Sequence, residues 1–311
     1  MSPYTRRVTC AAHWTLTGAC NPTCMAPGSR LKARSAAHAK AIHAKFYNAS
    51  THGYLDNRQT HLVMPLVAGA VPEALRPAVR KALETEILVH QAGHLDTGLH
   101  GTYFLFKFLT DTASGFGGDV ALALALVTAK GHPGYLDVLA HNYTAWPEAW
   151  GSCSDKAGAP TFPTPFTCEA WSTGSKSPLH GTLNGVGQLF VTGLGGIRRP
   201  EGGVGRQQIE FAAPFTASTV LLTSAEARLD GEYGRIASSW ATLPGGGGFE
   251  HNVTVPPNSW ATLVIPAASV ASITESGLPC LGAPGITSVT VAGGVATVTL
   301  LSGDFAFRAS A

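Results

Sequence analysis

The sequence predicts a multidomain chain built of two units in series, an array of antiparallel helices followed by an antiparallel β-sandwich. Three observations carry this reading. Leu75, Val79, Leu83 and Ile87 repeat every four residues, with Arg76, Arg80, Lys81 and Glu84 between them, the spacing of an amphipathic helix. Towards the end of the chain the apolar residues alternate instead. Phe249, His251, Val253 and Val255 do so, as do Ala261, Leu263 and Ile265, the period of half-buried strands. Between the two textures lies RRPEGGVG (198–205), a glycine-rich linker.

Taken in order, residues 1–35 show no sustained periodicity and read as an irregular tail. From Ser35 the pattern is helical, with helices expected at about 37–48, 59–70, 101–112, 118–130 and 180–196 besides the one just described. Pro72 and Glu73 stand at the start of that helix, where a proline and an acid are both favourable. Val120 to Val127 is apolar nearly all round and belongs in the interior. Leu183, Val186, Phe190 and Ile197 mark the buried stripe of the last helix. In the second unit Gly293-Gly294 separates two Val/Thr-rich runs and reads as a two-residue hairpin, and Phe305 and Phe307 alternate in the final strand. The expected division is 1–35 tail, 36–200 helical unit and 206–311 sandwich.

With 311 residues, 45% of them hydrophobic and 13% charged, the chain can bury a sizeable core and is far from a disordered composition. A net charge of +2 without a dense Lys/Arg stripe argues against nucleic acid and acidic membrane surfaces as partners. No apolar run approaches the roughly 18 residues of a spanning helix, and the first twenty residues lack the apolar core of a signal peptide. Cys20 and Cys24 have a spacing compatible with zinc, but no second His/Cys pair stands at finger spacing, so no metal site is expected. Cys153 and Cys168 flank a Pro-rich insertion and would staple it in an oxidising compartment. Sequons at Asn48, Asn142 and Asn252 permit secretion, which gives localisation a lean towards the extracytoplasmic side and no more. The oligomeric state is not readable.

Acid–base chemistry on a sugar needs carboxylates in a cleft lined by aromatic and hydrogen-bonding groups. One segment offers that mix, His141-Asn142-Tyr143-Thr144-Ala145-Trp146-Pro147-Glu148-Ala149-Trp150. Glu148 lies between two tryptophans, whose rings can stack on a pyranose and lower the dielectric around the carboxylate, an environment that raises a carboxyl pKa and suits a general base. On spacing alone the same residues also read as a carboxylate solvating a loop beside two core indoles.

The segment does not stand alone. Asn57-Arg58-Gln59-Thr60 is followed by PLVAGAVPEALRPAV, then by GHLDTGLHGTYFLFKFL (93–109), PGYLDVLAHNYTAWPEAW (133–150) and SPLHGTLNGVGQLFVTGLGGIR (177–198), and the chain ends in LLSGDFAFRA. This series resembles, in collinear order over about 36–311, the α-L-rhamnosidase family (glycoside hydrolase family 78). It is similar to that family's Gln-Thr helix and turn, its His-Leu-x-Thr-Gly loop, its Trp-Glu-x-Trp loop, its Ser-x-x-His helix and its C-terminal β domain. Each motif is only moderately specific; the ordered series is what carries the likeness.

The resemblance implies a partial (α/α)₆ six-hairpin barrel followed by the sandwich, and inverting hydrolysis of terminal α-L-rhamnosides without metal or organic cofactor. Glu148 matches the family's general base, and His180 its sugar-contacting histidine. Trp146 and Trp150 would form the sugar platform, or serve the core. His94 and Asp96 lie in a loop expected to line the cleft, with packing for His94 and a turn cap for Asp96 as the alternatives. The first half of the barrel, where the family carries its general acid, has no counterpart in 1–35. Pro147 departs from the residue expected beside the glutamate, and the insertion 151–176 separates Glu148 from His180. Two other readings follow, a non-catalytic carbohydrate-binding remnant of the family and another (α/α)₆ glycosidase or phosphorylase. The partner expected on the first two is a rhamnose-containing oligosaccharide, polysaccharide or glycoside.

Overall fold

A computed structural model of the chain describes residues 22–111, 118–131, 133–140, 142, 144–146, 148, 150, 180–200, 205–215 and 222–310. The Cys153–Cys168 staple, Cys20, the side chain of Cys24 and Pro147 lie outside the described residues.

The helical unit comprises α1 (Pro22–Phe46), α2 (Gln59–Val67), α3 (Arg76–Thr85), α4 (Leu99–Thr110), α5 (Val120–Val127) and α6 (Tyr135–Ala140). Helix α1 starts ahead of the expected end of an irregular tail at residue 35. The Ala, Lys and Arg content of 30–45 favours helix even though most of these side chains face solvent. Helix α2 buries Gln59, Leu62, Val63 and Leu66, a stripe at i, i+3, i+4 and i+7. It stops through its last carbonyls. The Gly69 N–H donates to Leu66 O and the Ala70 N–H to Pro65 O, while Gly69 takes a left-handed φ of 66°. In α3 the stripe read from the sequence is the buried one, with Val79 and Leu83 inside and Arg80 paired with Glu84 outside. A five-residue π turn (Glu86–His90) carries Ile87 into the same core. Asp119 caps α5, accepting from the Leu122 N–H at 2.9 Å, and the helix is buried on all but a narrow face.

The expected helix at 180–196 is not a regular α-helix. Residues Gly181–Val186 form a 3₁₀ turn and Leu189–Leu194 a π turn. Close approach explains the departure. A Cβ on Gly185 would stand 2.9 Å from Tyr103 Cα in α4, and one on Gly195 would stand 2.2 Å from the Cβ of Ala227 in the sandwich. A glycine-rich segment can shift its winding to fit such neighbours, where a regular helix would bring side chains into them.

The second unit packs two sheets around a core of its own. One sheet orders β10 (Leu278–Pro279), β9 (Ile273–Glu275), β13 (Gly303–Ala309), β7 (Phe249–Val255), β6 (Gly234–Thr242) and β5 (Ser224–Gly231). The other orders β11 (Ile286–Ala292), β12 (Val295–Leu300), β8 (Trp260–Pro266), β4 (Gln208–Ala212) and β3 (Ile197–Arg198), the remaining strands β1 and β2 (Tyr47–Asn48, Gly53–Tyr54) being a small hairpin after α1. The Gly293-Gly294 hairpin is as expected, with Ala292 opposite Val295 and both glycines at positive φ. One pairing departs from an antiparallel sandwich: β4 runs parallel to β8, because β5, β6 and β7 act as the crossover between them in the facing sheet.

The two units are tied at one seam. Trp240 of β6 donates its Nε1–H to Leu194 O at 2.6 Å, and Arg198 of β3 donates to Thr110 O at the end of α4 at 2.8 Å. Among the described residues no helix is long and apolar enough to cross a membrane.

In the sandwich core His251 is fully buried against Phe211 and Phe215, its Nε2 bonded to the Ser238 hydroxyl at 2.8 Å. Burial lowers its pKa to about 3. An unfolded histidine takes a proton near pH 6.5 and the folded one does not, so stability is full above pH 6.5 and falls as the pH drops from there towards 3. The slope is at most about 1.4 kcal/mol per pH unit. Urea titrations of the sandwich transition between pH 7 and 5 will show this loss in the wild type, and His251→Phe will flatten it while lowering stability at pH 7.

Candidate active site

Tyr135 is the first residue of α6 and follows Gly134, where a Cβ would meet Gly131 O at 3.0 Å. Its ring is 3% exposed. Trp146 stands perpendicular to it at 5.0 Å between centroids and Trp150 at 5.3 Å, the edge-to-face geometry that aromatic quadrupoles favour. Both indoles are half-buried, and so is Glu148 between them in sequence. The Tyr135 hydroxyl donates to Leu183 O at 2.7 Å, and burial holds it in its protonated form well above the usual phenol range. His180, exposed and 34 residues beyond Trp146, is brought back to it by a backbone bond, the His180 N–H donating to Trp146 O at 2.9 Å. Trp146 and Trp150 thus pack on a single tyrosine, Glu148 lies between them in sequence, and the backbone of His180 is bonded to the carbonyl of Trp146. Each indole packs on Tyr135, the core role read from the sequence, and keeps part of its surface open.

The second segment is the loop 93–98 ahead of α4. Gln59, at the start of α2 and fully buried, grips it twice: its Nε2 donates to His94 O at 2.7 Å and its Oε1 accepts from the Asp96 N–H at 3.2 Å. The His94 ring donates from Nδ1 to Pro133 O at 3.1 Å, which docks the loop on the turn leading into Tyr135. His94 is thereby tied to the backbone two residues ahead of Tyr135. Asp96 points elsewhere. Its side chain is only 7% exposed and lies 3.6 Å from the Arg58 guanidinium. Burial raises its pKa, with Arg58 opposing and Glu86 adding to the rise. Neither of its carboxylate oxygens accepts a hydrogen bond among the described residues, so it caps no turn there.

Sequence reasoning gave no place at the site to three residues, two of which it quoted only within the Asn57-Arg58-Gln59-Thr60 motif. Gln59 sits on the apolar stripe of α2, and a polar residue at a core position is the signal that betrays it. Arg58 and Tyr135 carry no comparable mark, because their roles depend on segments about 40 residues away. Among the described residues no group of three or more His, Cys, Asp or Glu side chains is placed to hold a metal ion.

Replacing Gln59 by methionine keeps the volume but strands a buried carbonyl and a buried N–H. An unmade buried hydrogen bond costs about 1–3 kcal/mol. Gln59→Met is therefore expected to destabilise the helical unit by about 2–4 kcal/mol, measured by urea unfolding followed by circular dichroism, with the sandwich transition unmoved.

The comparisons with known proteins fall on both units. The bacterial α-L-rhamnosidase six-hairpin glycosidase domain matches residues 28–193, and the bacterial α-L-rhamnosidase C-terminal domain matches 196–277. An α-L-rhamnosidase of Formosa agariphila is 26% identical over 219 residues, covering 70% of this chain and 20% of that protein. One from Streptomyces avermitilis is 29% identical over 221 residues, covering 71% of this chain and 19% of that protein. The chain thus spans about a fifth of the length of these relatives. Among solved structures, the Streptomyces avermitilis α-L-rhamnosidase complexed with L-rhamnose superposes with a TM-score of 0.70 at 24% identity, over 92% of this chain and 24% of that one. The α-L-rhamnosidase of Dictyoglumus thermophilum gives 0.67 at 21% identity, over 88% of this chain and 28% of its own. The first of the two domain matches covers more than half of the chain, and on that ground the chain belongs to the bacterial α-L-rhamnosidase family.

Proposed function

We propose that the chain carries the general-base side of an inverting α-L-rhamnosidase site, with Glu148 as the base. The observation that supports this most is the backbone bond from His180 to Trp146, which brings the segment beginning with His180 back to the one that carries Glu148 and the two half-open indoles. A rhamnose has an apolar ring face and a 6-methyl group for indoles to cover, and hydroxyls for His180 and Glu148 to bond. The relative from Streptomyces avermitilis, complexed with L-rhamnose, gives the same choice of sugar. In this reading residues 36–200 form part of the six-hairpin glycosidase unit and 206–311 its β-sandwich companion. His94 borders the sugar site, and Asp96, held by Arg58 and Gln59, shapes the loop behind it.

In the reaction Glu148 takes a proton from a water molecule as its oxygen attacks the anomeric carbon. The bond from that carbon to the leaving oxygen breaks on the opposite face, and the leaving oxygen takes a proton from an acid. The sugar is released with inverted configuration. Such an acid and base stand about 6.5–9.5 Å apart to admit the water. We assign the acid to no residue of this chain, whose length is a fraction of its relatives'. A substrate whose leaving group departs without prior protonation tests the base by itself.

p-Nitrophenyl α-L-rhamnopyranoside is such a substrate, since nitrophenolate leaves as the anion. The chain is expected to hydrolyse it slowly, and Glu148→Gln to reduce the rate by about 10²–10⁴-fold, the usual contribution of a general base. An equal rate in both proteins would rule out Glu148. Absence of hydrolysis in the wild type would leave the chain a sugar-binding remnant.

A further inference from the structure

We infer that Tyr135 is the positioning residue that holds the Trp146–Glu148–Trp150 loop and the His180 segment in register for the sugar. This rests on the reading of that cluster as a sugar site. The contacts form a closed circuit. From the Tyr135 ring it passes to Trp146 at 5.0 Å, across the Trp146 carbonyl to the His180 N–H at 2.9 Å, along the chain to Leu183, and back through the Leu183 carbonyl to the Tyr135 hydroxyl at 2.7 Å. Trp150 closes on the same ring at 5.3 Å. The two site segments are far apart in sequence, and Tyr135 touches both, one with its ring and the other with its hydroxyl.

The tyrosine is itself well anchored. Phe106 of α4 packs against its ring at 6.4 Å, Leu183 is fully buried, and the carbonyl of Pro133 just before it accepts from His94. A hydroxyl this deep in an apolar core costs free energy unless bonded, so the Leu183 carbonyl is a fixed mark and not a casual neighbour. Any shift of Tyr135 moves both indoles relative to His180, and with them the surface a sugar would meet. Tyr135 reaches no substrate itself. It acts through Trp146, Trp150 and the backbone of 180–183.

The separable parts are the ring and the hydroxyl. Tyr135→Phe keeps the aromatic contacts and removes the tie to Leu183; Tyr135→Leu removes both. Each would be titrated with L-rhamnose by tryptophan fluorescence, well below its own thermal midpoint, beside the wild type and Trp146→Ala. A net hydrogen bond is worth about 0.5–1.5 kcal/mol, about 2–13-fold in an equilibrium constant. Tyr135→Phe is expected to weaken L-rhamnose binding by about 3–10-fold and Tyr135→Leu by more. If Tyr135→Phe lowers the melting temperature but binds L-rhamnose as the wild type does, the hydroxyl is a packing feature and the inference is overturned while the sugar site stands. A wild-type chain that gives no response to L-rhamnose overturns the sugar site and the inference together.

Discussion

A buried phenol cannot be left without an acceptor, and much of the helical unit near the site follows from satisfying the one on Tyr135. Its hydroxyl fixes the Leu183 carbonyl, and its ring supplies the surface on which both indoles rest. The strand of chain that carries Leu183 must then lie close to α4, close enough that position 185 can carry no side chain. That same crowding breaks 180–196 into a 3₁₀ turn and a π turn. The irregularity near His180 is therefore the consequence of a packing requirement, in the way that non-α turns tend to gather at functional sites.

The seam with the sandwich extends the same constraint. The π turn ends at Leu194, whose carbonyl is bound by Trp240, and the next residue approaches Ala227 too closely for a side chain. Arg198 then reaches back to the C-terminal carbonyl of α4. Burial pulls its pKa down, Glu210 and Asp111 pull it back up, and the guanidinium stays charged as arginines do. A path of direct contacts thus runs from the sandwich through 194–198 to the segment that begins with His180. The sandwich braces the chain beyond the proposed site while supplying none of its groups.

How much of this was legible in the sequence depended on the range of the interaction. The stripe of α3, the burial of α5, the Gly293-Gly294 hairpin and the alternation of β7 and β8 are local patterns, and each reads directly from spacing. Glu148 and its tryptophans stand out because three informative residues fall within five positions. What spacing does not contain is long-range. Gln59 holding a loop some 35 residues away, Tyr135 meeting Leu183 and His180 returning to Trp146 are decided by tertiary packing. The parallel pairing of β4 with β8 is lost for the same reason: alternation specifies which face of a strand is buried, not the direction of its neighbour. The turn cap that the residue type of Asp96 suits is likewise local, whereas its buried place beside Arg58 is set by a helix some 40 residues earlier.

The most direct test of the account is a crystal structure of the chain soaked with L-rhamnose. The account predicts a sugar whose apolar face lies on Trp146 or Trp150, with hydroxyls within hydrogen-bond distance of Glu148 and His180 and Tyr135 unmoved behind them. Sugar bound away from this cluster, or indoles that close over Tyr135 and leave it no surface to occupy, would contradict it.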